Sequence, residues 1–199
     1  KVRWFLQSLR KDISLGLRYL AFNQHQLKLG FEGVAVDMEF ESDRKWYAIF
    51  VETGQEENFE RLLNVLYPDD NIQILIPKRK LIERRQSKTY EITKKLFPGY
   101  VLVKTQMDTE MYYKLSRLPR VYGVLKDESE PVPIRDEEMA VILSLTADGE
   151  TIGFSEVYKE GERIVVINGP LKGLEGIIEK FDARKRRVKV RIQFLGREK

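Results

Sequence analysis

The run from Tyr158 to Ile178 constrains the fold more than any other stretch. Ile164, Val165, Val166 and Ile167 are consecutive β-branched residues, which favour a pleated, half-buried surface. Asn168-Gly169-Pro170 ends that strand, because glycine permits positive φ and proline cannot donate to a ladder. Gly173 and Gly176 follow before Ile177-Ile178 resumes an extended pattern. Glycines at 161, 169, 173 and 176, each beside a strand signal, predict a very small and sharply curved barrel.

At 199 residues the chain is long enough for one or two domains. With 42% hydrophobic and 33% charged residues it reads as globular rather than disordered. A net charge of +4 fits a nucleic-acid partner without requiring one. There is no cysteine and a single histidine, His25, which argues against disulfides, thiolate or histidine metal sites, and a Ser-His triad. No stretch approaches the roughly 18 apolar residues of a membrane span. The expectation is a soluble cytoplasmic monomer with no membrane partner, no cofactor and no metal.

Residues 1–44 form an arm of unknown role. Leu6, Leu9, Ile13, Leu17 and Leu20 recur at nearly helical spacing, and Gly30, Gly33 and an acidic run from Asp37 to Asp43 follow. A loosely attached arm, an amphipathic helix, and a segment preceding a natural start at Met38 all remain open.

Trp46 to Val51 is a strand by β-propensity, with Trp46 in the core. Thr53-Gly-Gln-Glu56 has the spacing of a capping box, with Thr53 as N-cap of a helix through Phe59, Leu62, Leu63 and Leu66. Ile72 to Ile76 is a second strand. Lys78 to Lys95 is a basic excursion, read as a hairpin. Phe97-Pro98-Gly99 turns into a buried strand, Tyr100 to Val103. Asp108 or Thr109 caps a second helix, Val121 to Leu125 is a strand, and Pro131-Val-Pro133 is a connection. Asp136-Glu137-Glu138 opens a third helix, where acidic residues suit the macrodipole. Residues 148–156, with Gly149 and Gly153, read as a flexible linker. The element order predicts an α+β fold with an antiparallel sheet and flanking helices, followed by the small barrel.

Gly161-Glu-x-x-x-Val-x-x-Gly-Pro-x-x-Gly-x-x-Gly176 resembles the KOW motif of NusG-type transcription factors and some ribosomal proteins. Trp-Tyr-Ala-Ile-Phe at 46–50, Leu-Phe-Pro-Gly-Tyr-Val-Leu-Val at 96–103 and Pro-Arg-Val-Tyr-Gly-Val at 119–124 resemble the NGN domain of the same family. The resemblance implies an NGN domain over 45–147, a linker over 148–156 and a KOW SH3-like β-barrel over 157–199. Family barrels continue into one further strand where Leu195 to Lys199 stops, so the last barrel strand is expected to be missing.

The adjacent carboxylates Asp69-Asp70 and Asp136 to Glu138 read as helix-terminal residues, and no Gly-Lys-Ser/Thr phosphate loop is present. A binding protein is expected, not an enzyme. The resemblance implies a polymerase-binding surface of Phe50, Phe97, Pro98 and Tyr100, an apolar cavity for helices of RNA polymerase. It also implies a contact to polymerase or non-template DNA through Tyr112, Tyr113 and Lys114, where core packing of either tyrosine is the competing reading. The basic excursion is either a solvated hairpin or a sequence-independent surface for upstream DNA. Arg184, Lys185, Arg186, Arg187, Lys189 and Arg191, with Lys172, form a cationic ridge. On a strand Arg187, Lys189 and Arg191 share one face. This ridge is either a solvated strand face or a binding site for nascent RNA, with a structured hairpin read by shape as one form of that ligand, which resembles the specialised LoaP-type members of the family. Two alternatives stand beside RNA. One is a housekeeping member whose KOW domain recruits a ribosomal or termination protein through Leu171 and Leu174; the other is a ribosomal-RNA-binding KOW protein.

Overall fold

The computed structural model describes residues 43–199 apart from Ser87, Asp148 and Lys199. The helical reading of the arm, and His25 with it, lies outside the described residues.

The first strand, β1 (Lys45–Val51), is the centre of the NGN sheet. Tyr47, Ile49 and Val51 point to one face, and Trp46, Ala48 and Phe50 to the other, as a two-residue period requires. The antiparallel order is β2 (Gln73–Leu75), β5 (Tyr100–Thr105), β1 and β6 (Val121–Val124), with Phe50 opposite Tyr100 and Gly123. Helix α1 (Glu56–Leu66) buries Phe59 and Leu63 against the first face, joined by Leu115 of α2 (Thr109–Ser116). Helix α3 (Asp136–Leu145) covers the second face with Met139, Ile142 and Leu145, over the buried Trp46.

Two expectations about helix starts part company. Asp108 caps α2, its carboxylate accepting from the Met111 N–H at 2.7 Å. Thr53 does not cap α1: Gln55 stands at the N-cap and offers no side-chain bond. Glu56 is turned inward instead, because the Gly99 and Gly54 N–H groups and the Lys95 ammonium converge on its carboxylate.

Strands β3 (Lys78–Arg85) and β4 (Lys88–Lys95) form the hairpin, in register from Lys78 opposite Lys95 to Arg85 opposite Lys88. Where a connection at Pro131 to Pro133 was expected, β7 (Lys126–Asp127) and β8 (Glu130–Pro131) form a short hairpin, and Pro133 bridges Tyr47. The expected flexible linker is held along part of its length. Its β9 (Thr151–Ile152) pairs in parallel with the base of β3, and the Glu150 carbonyl accepts from the Lys78 N–H at 2.8 Å.

The KOW-like region is a set of antiparallel ribbons. These are β10 (Glu156–Glu160) with β11 (Arg163–Asn168), β12 (Ile178–Asp182) with β13 (Arg187–Val190), and β14 (Gln193–Phe194) with β15 (Arg197–Glu198). Among the described residues these ribbons are three separate two-stranded ladders. The Gly169 turn and a short 3₁₀ segment, Glu175–Ile177, separate β11 from β12. Ile192 and Phe194 are spent elsewhere: they are buried in the cluster on the second face of the NGN sheet, with Leu171, Leu174 and Ile177 packed around them.

Candidate functional site

The Phe97-Pro98-Gly99-Tyr100 turn is built around the buried Glu56 carboxylate. Its Oε1 accepts from the Gly99 N–H at 2.8 Å, and its Oε2 accepts from the Gly54 N–H at 2.7 Å and from Lys95 Nζ at 2.5 Å. Gly99 has φ +83°, and a Cβ there would come within 3.1 Å of the Thr53 hydroxyl oxygen, so glycine suits both the backbone and the space. Burial works against the Glu56 charge. The Lys95 and Gly99 hydrogen bonds outweigh it and hold the carboxyl below the usual range. Capping-box spacing concealed this role, because the same glutamate was assigned to its own helix.

From this turn a row of aromatic rings runs across the second face of the sheet. Phe97 stacks on Phe194 at 3.7 Å between centroids, and Tyr100 meets Phe194 edge-on at 5.9 Å. Phe50 lies 5.3 Å from Tyr100 and 5.0 Å from Tyr122. The row is graded: Phe97 is buried, Tyr100 is half-buried, and Phe50 and Tyr122 are 43% and 65% exposed. Of the expected surface, Phe50, Phe97 and Tyr100 are brought together, and Pro98 is exposed at the turn. The sequence reading missed Tyr122 and Phe194. Tyr122 alternates with Val121 and Gly123 in β6, which marks an outward position, whereas Phe194 has no local signal for a neighbour in another domain.

The second expected contact is divided. Tyr112 is half-buried against the first face, with Lys126 4.4 Å from its ring centroid, and the neighbouring Lys126 ammonium lowers its pKa. Tyr113 is exposed and carries the Arg117 guanidinium at 5.0 Å. Lys114 is engaged with Asp70 at 2.8 Å and Glu110 at 3.0 Å, hydrogen bonds that raise its pKa. A phosphate at Lys114 would have to displace those carboxylates.

The cationic ridge is also divided. Lys189 and Arg191 share Glu179 at 2.6 and 2.7 Å, and their hydrogen bonds lower the Glu179 pKa. Arg184, Lys185 and Arg186 form an exposed turn, closed by the Asp182 carboxylate on the Lys185 N–H. Arg187 donates to the Ile82 carbonyl of the hairpin at 3.2 Å. Lys172 is exposed on a different turn. In the hairpin, Lys80 pairs with Glu91, and Arg85 and Lys94 share Glu83. Lys78 and Lys95 meet carboxylates of α1, and Lys78 also meets Glu150. No carboxylate lies within ion-pair distance of Arg79, Arg84, Arg186 or Arg187 among the described residues.

One further contact ties the C-terminal ribbons to the central sheet and its helices. Glu138 of α3 is buried and accepts from the Leu195 and Gly196 N–H groups, both at 3.0 Å, while Arg135 pairs with it at 2.5 Å. Among the described residues no group of His, Cys, Asp and Glu is placed to hold a metal ion, and no helix is long and apolar enough to cross a membrane.

A family model described as "Transcription termination factor nusG" matches residues 44–143. The transcription termination/antitermination protein NusG of Helicobacter pylori is 28% identical over 158 residues, covering 76% of this chain and 90% of that one. Its counterpart from Vibrio parahaemolyticus is 30% identical over 161 residues, covering 77% of this chain and 88% of its own. A solved structure described as "Domain interaction in Thermotoga maritima NusG" has a TM-score of 0.52 at 28% identity, over 79% of this chain and 92% of that one. The matched region contains the whole central sheet, the Glu56-supported turn and most of the aromatic row, so sequence and geometry converge: the chain belongs to the NusG family of transcription termination factors.

Proposed function

We propose that this protein is a transcription elongation and antitermination factor that docks on RNA polymerase through the aromatic row and binds nascent RNA through its KOW ridge. The observation that carries the first half is the row itself. Phe50, Tyr100 and Tyr122 lie side by side on rigid strands, with an open end at Phe50 and Tyr122. Rigid aromatics on a scaffold are the residues that dominate helix-in-groove recognition. Pro98 borders the row, and Tyr113, exposed on α2, is available to stack on a base of non-template DNA.

For the second half, two surfaces of the KOW region compete. Leu171 and Leu174, the protein-recruiting surface of the housekeeping alternative, are packed against the NGN cluster. Arg184 to Arg186 remain exposed. That contrast favours RNA, and with it a specialised LoaP-like member, over a ribosomal or termination protein. The tether places the RNA site near polymerase at high effective concentration.

The test is a pair of binding measurements on the full chain. Phe50→Ala should weaken polymerase binding by roughly thirty-fold, the cost of an interface anchor of about 2 kcal/mol. Arg186→Ala with Arg187→Ala should weaken RNA binding and flatten its salt dependence. Unaltered polymerase binding by Phe50→Ala overturns the docking face, and absence of RNA binding at low salt overturns the RNA site.

A further inference from the structure

The hydrogen bond from Arg187 to the Ile82 carbonyl, at 3.2 Å, ties the KOW ridge to the NGN hairpin across 105 residues of chain. Lys80 and Arg84 flank Ile82 two residues to either side on its own face of β3, roughly 7 Å away at the rise of a strand. One hydrogen bond therefore joins two cationic segments that are far apart in sequence. Lys80 is paired with Glu91, and Glu83 is taken by Arg85 and Lys94, which leaves Arg84 and Arg187 as the cations of this junction with no carboxylate in ion-pair distance among the described residues. Arg84 stands two residues from the carbonyl that Arg187 reaches, on the scale of the ~8 Å screening length of physiological salt, so docking brings these like charges together. A phosphate chain laid across the junction reverses the sign of that interaction.

We infer that the β3–β4 hairpin and the Arg184–Arg191 ridge act as one phosphate-binding surface for single-stranded RNA, and that RNA spanning it holds the KOW region against the NGN sheet. This rests on the reading of the ridge as an RNA site and adds a second domain and a consequence to it. Separated, each segment offers only its own cations; docked, Arg84 of the hairpin and Arg187 of the ridge stand at one junction. RNA that prefers the docked form must shift the protein towards that form by the same differential affinity. The row of aromatic rings is then covered by Phe194 more often when RNA is bound, so RNA and any ligand of that row oppose each other in the free protein.

The Leu195 and Gly196 N–H groups report docking without touching the proposed RNA surface, since both are bonded to Glu138 only while the domains are joined. Their hydrogen exchange should slow several-fold when oligouridine is added to the full chain at low salt. In the Lys80→Ala, Arg84→Ala variant, oligouridine should bind more weakly and leave that exchange unchanged. The ridge variant Arg186→Ala, Arg187→Ala should lose most of the binding. Binding to the ridge with no slowing of Leu195 and Gly196, or full affinity in the hairpin variant, overturns the joint surface while leaving the ridge as an RNA site. A duplex DNA of matched length that slows exchange where oligouridine does not assigns the surface to DNA and overturns this inference. No oligouridine binding at all fails the ridge reading itself, and this inference with it.

Discussion

The Phe194 ring lies flat on the Phe97 ring, with centroids 3.7 Å apart and planes 9° from parallel. One residue belongs to the last ribbon of the KOW region and the other to the turn that opens the central strand β5. The stack closes the inner end of the aromatic row, so a ligand that needs Phe97 must first displace Phe194. Losing a buried phenylalanine costs about 3–5 kcal/mol in all. Phe194→Ser should therefore undock the KOW region and, on the proposed function, tighten polymerase binding in a direct titration. Weaker binding by Phe194→Ser would mean that Phe194 is part of the docking face and does not cover it.

Glu138 supports the same junction by a charge. Its carboxyl is buried, which raises its pKa, but the Arg135, Gly196 and Leu195 hydrogen bonds outweigh burial and lower it. Once the domains part, the group returns to the ordinary range, about 4.3. The docked pKa is the lower one, so the stabilisation is complete above about pH 4.3 and is lost as pH falls through the docked value. Arg135 is mostly exposed, so solvent screens its share, and the two backbone bonds are the part that docking alone supplies. Protection factors at Leu195 and Gly196, corrected for the intrinsic pH dependence of amide exchange, should fall on acidification in that window, and Glu138→Ala should lower them at neutral pH. A flat profile in the wild-type chain would remove Glu138 from the junction.

The NGN sheet was legible because each strand carries its own signal: aromatic and β-branched residues in β1, a proline or glycine at the ends, and charge at the helix starts. The hairpin and the Phe97 turn were legible for the same reason. What stayed hidden involves partners far apart in sequence. Glu56 reaches 43 residues to Gly99, and Glu138 reaches 57 residues to Leu195. Neither distance leaves a local pattern, and the spacing from Thr53 to Glu56 suggested a different bond. The linker was read from its glycines as free, yet Glu150 to Ile152 lie along β3, where the partner strand supplies the pairing. The ridge was read as a row of like charges, but Glu179, outside the row, takes two of them.

Glu56 should matter more for stability than any other polar residue of the NGN domain. Glu56→Ala removes the acceptor from two backbone N–H groups and leaves Lys95 with only Glu57. Breaking a buried charge network in this way costs about 3–5 kcal/mol. Glu56→Gln keeps one acceptor and should cost about 1–3 kcal/mol. Urea unfolding of the full chain, followed through the tryptophan buried at position 46, measures both. A loss below about 1 kcal/mol for Glu56→Ala would show that water replaces the carboxylate at the Gly99 turn.

Gly169 ends the β-branched strand from which the barrel was predicted, and its constraint is now explicit. It has φ +91°, and a Cβ would fall 2.5 Å from the Phe154 carbonyl oxygen and 2.6 Å from the Ser155 Cα. These are backbone atoms, held in place as the Ser155 hydroxyl accepts from the Leu171 N–H at 3.0 Å. Alanine must therefore move either the linker or the turn, in addition to the strain of a left-handed backbone. The turn leads directly to Leu171 and Leu174, which pack on the NGN cluster, so the displacement passes into the domain junction. Gly169→Ala should cost about 2 kcal/mol or more and release the KOW region while the NGN sheet stays folded. Amide exchange separates the two outcomes: β10 to β15 should lose protection while β1 and β5 retain it. Gly173→Ala is the control, because its Cβ would meet open space and only the backbone term remains. Equal loss of protection in both variants would place the constraint in backbone strain alone and not in the contact with Phe154 and Ser155.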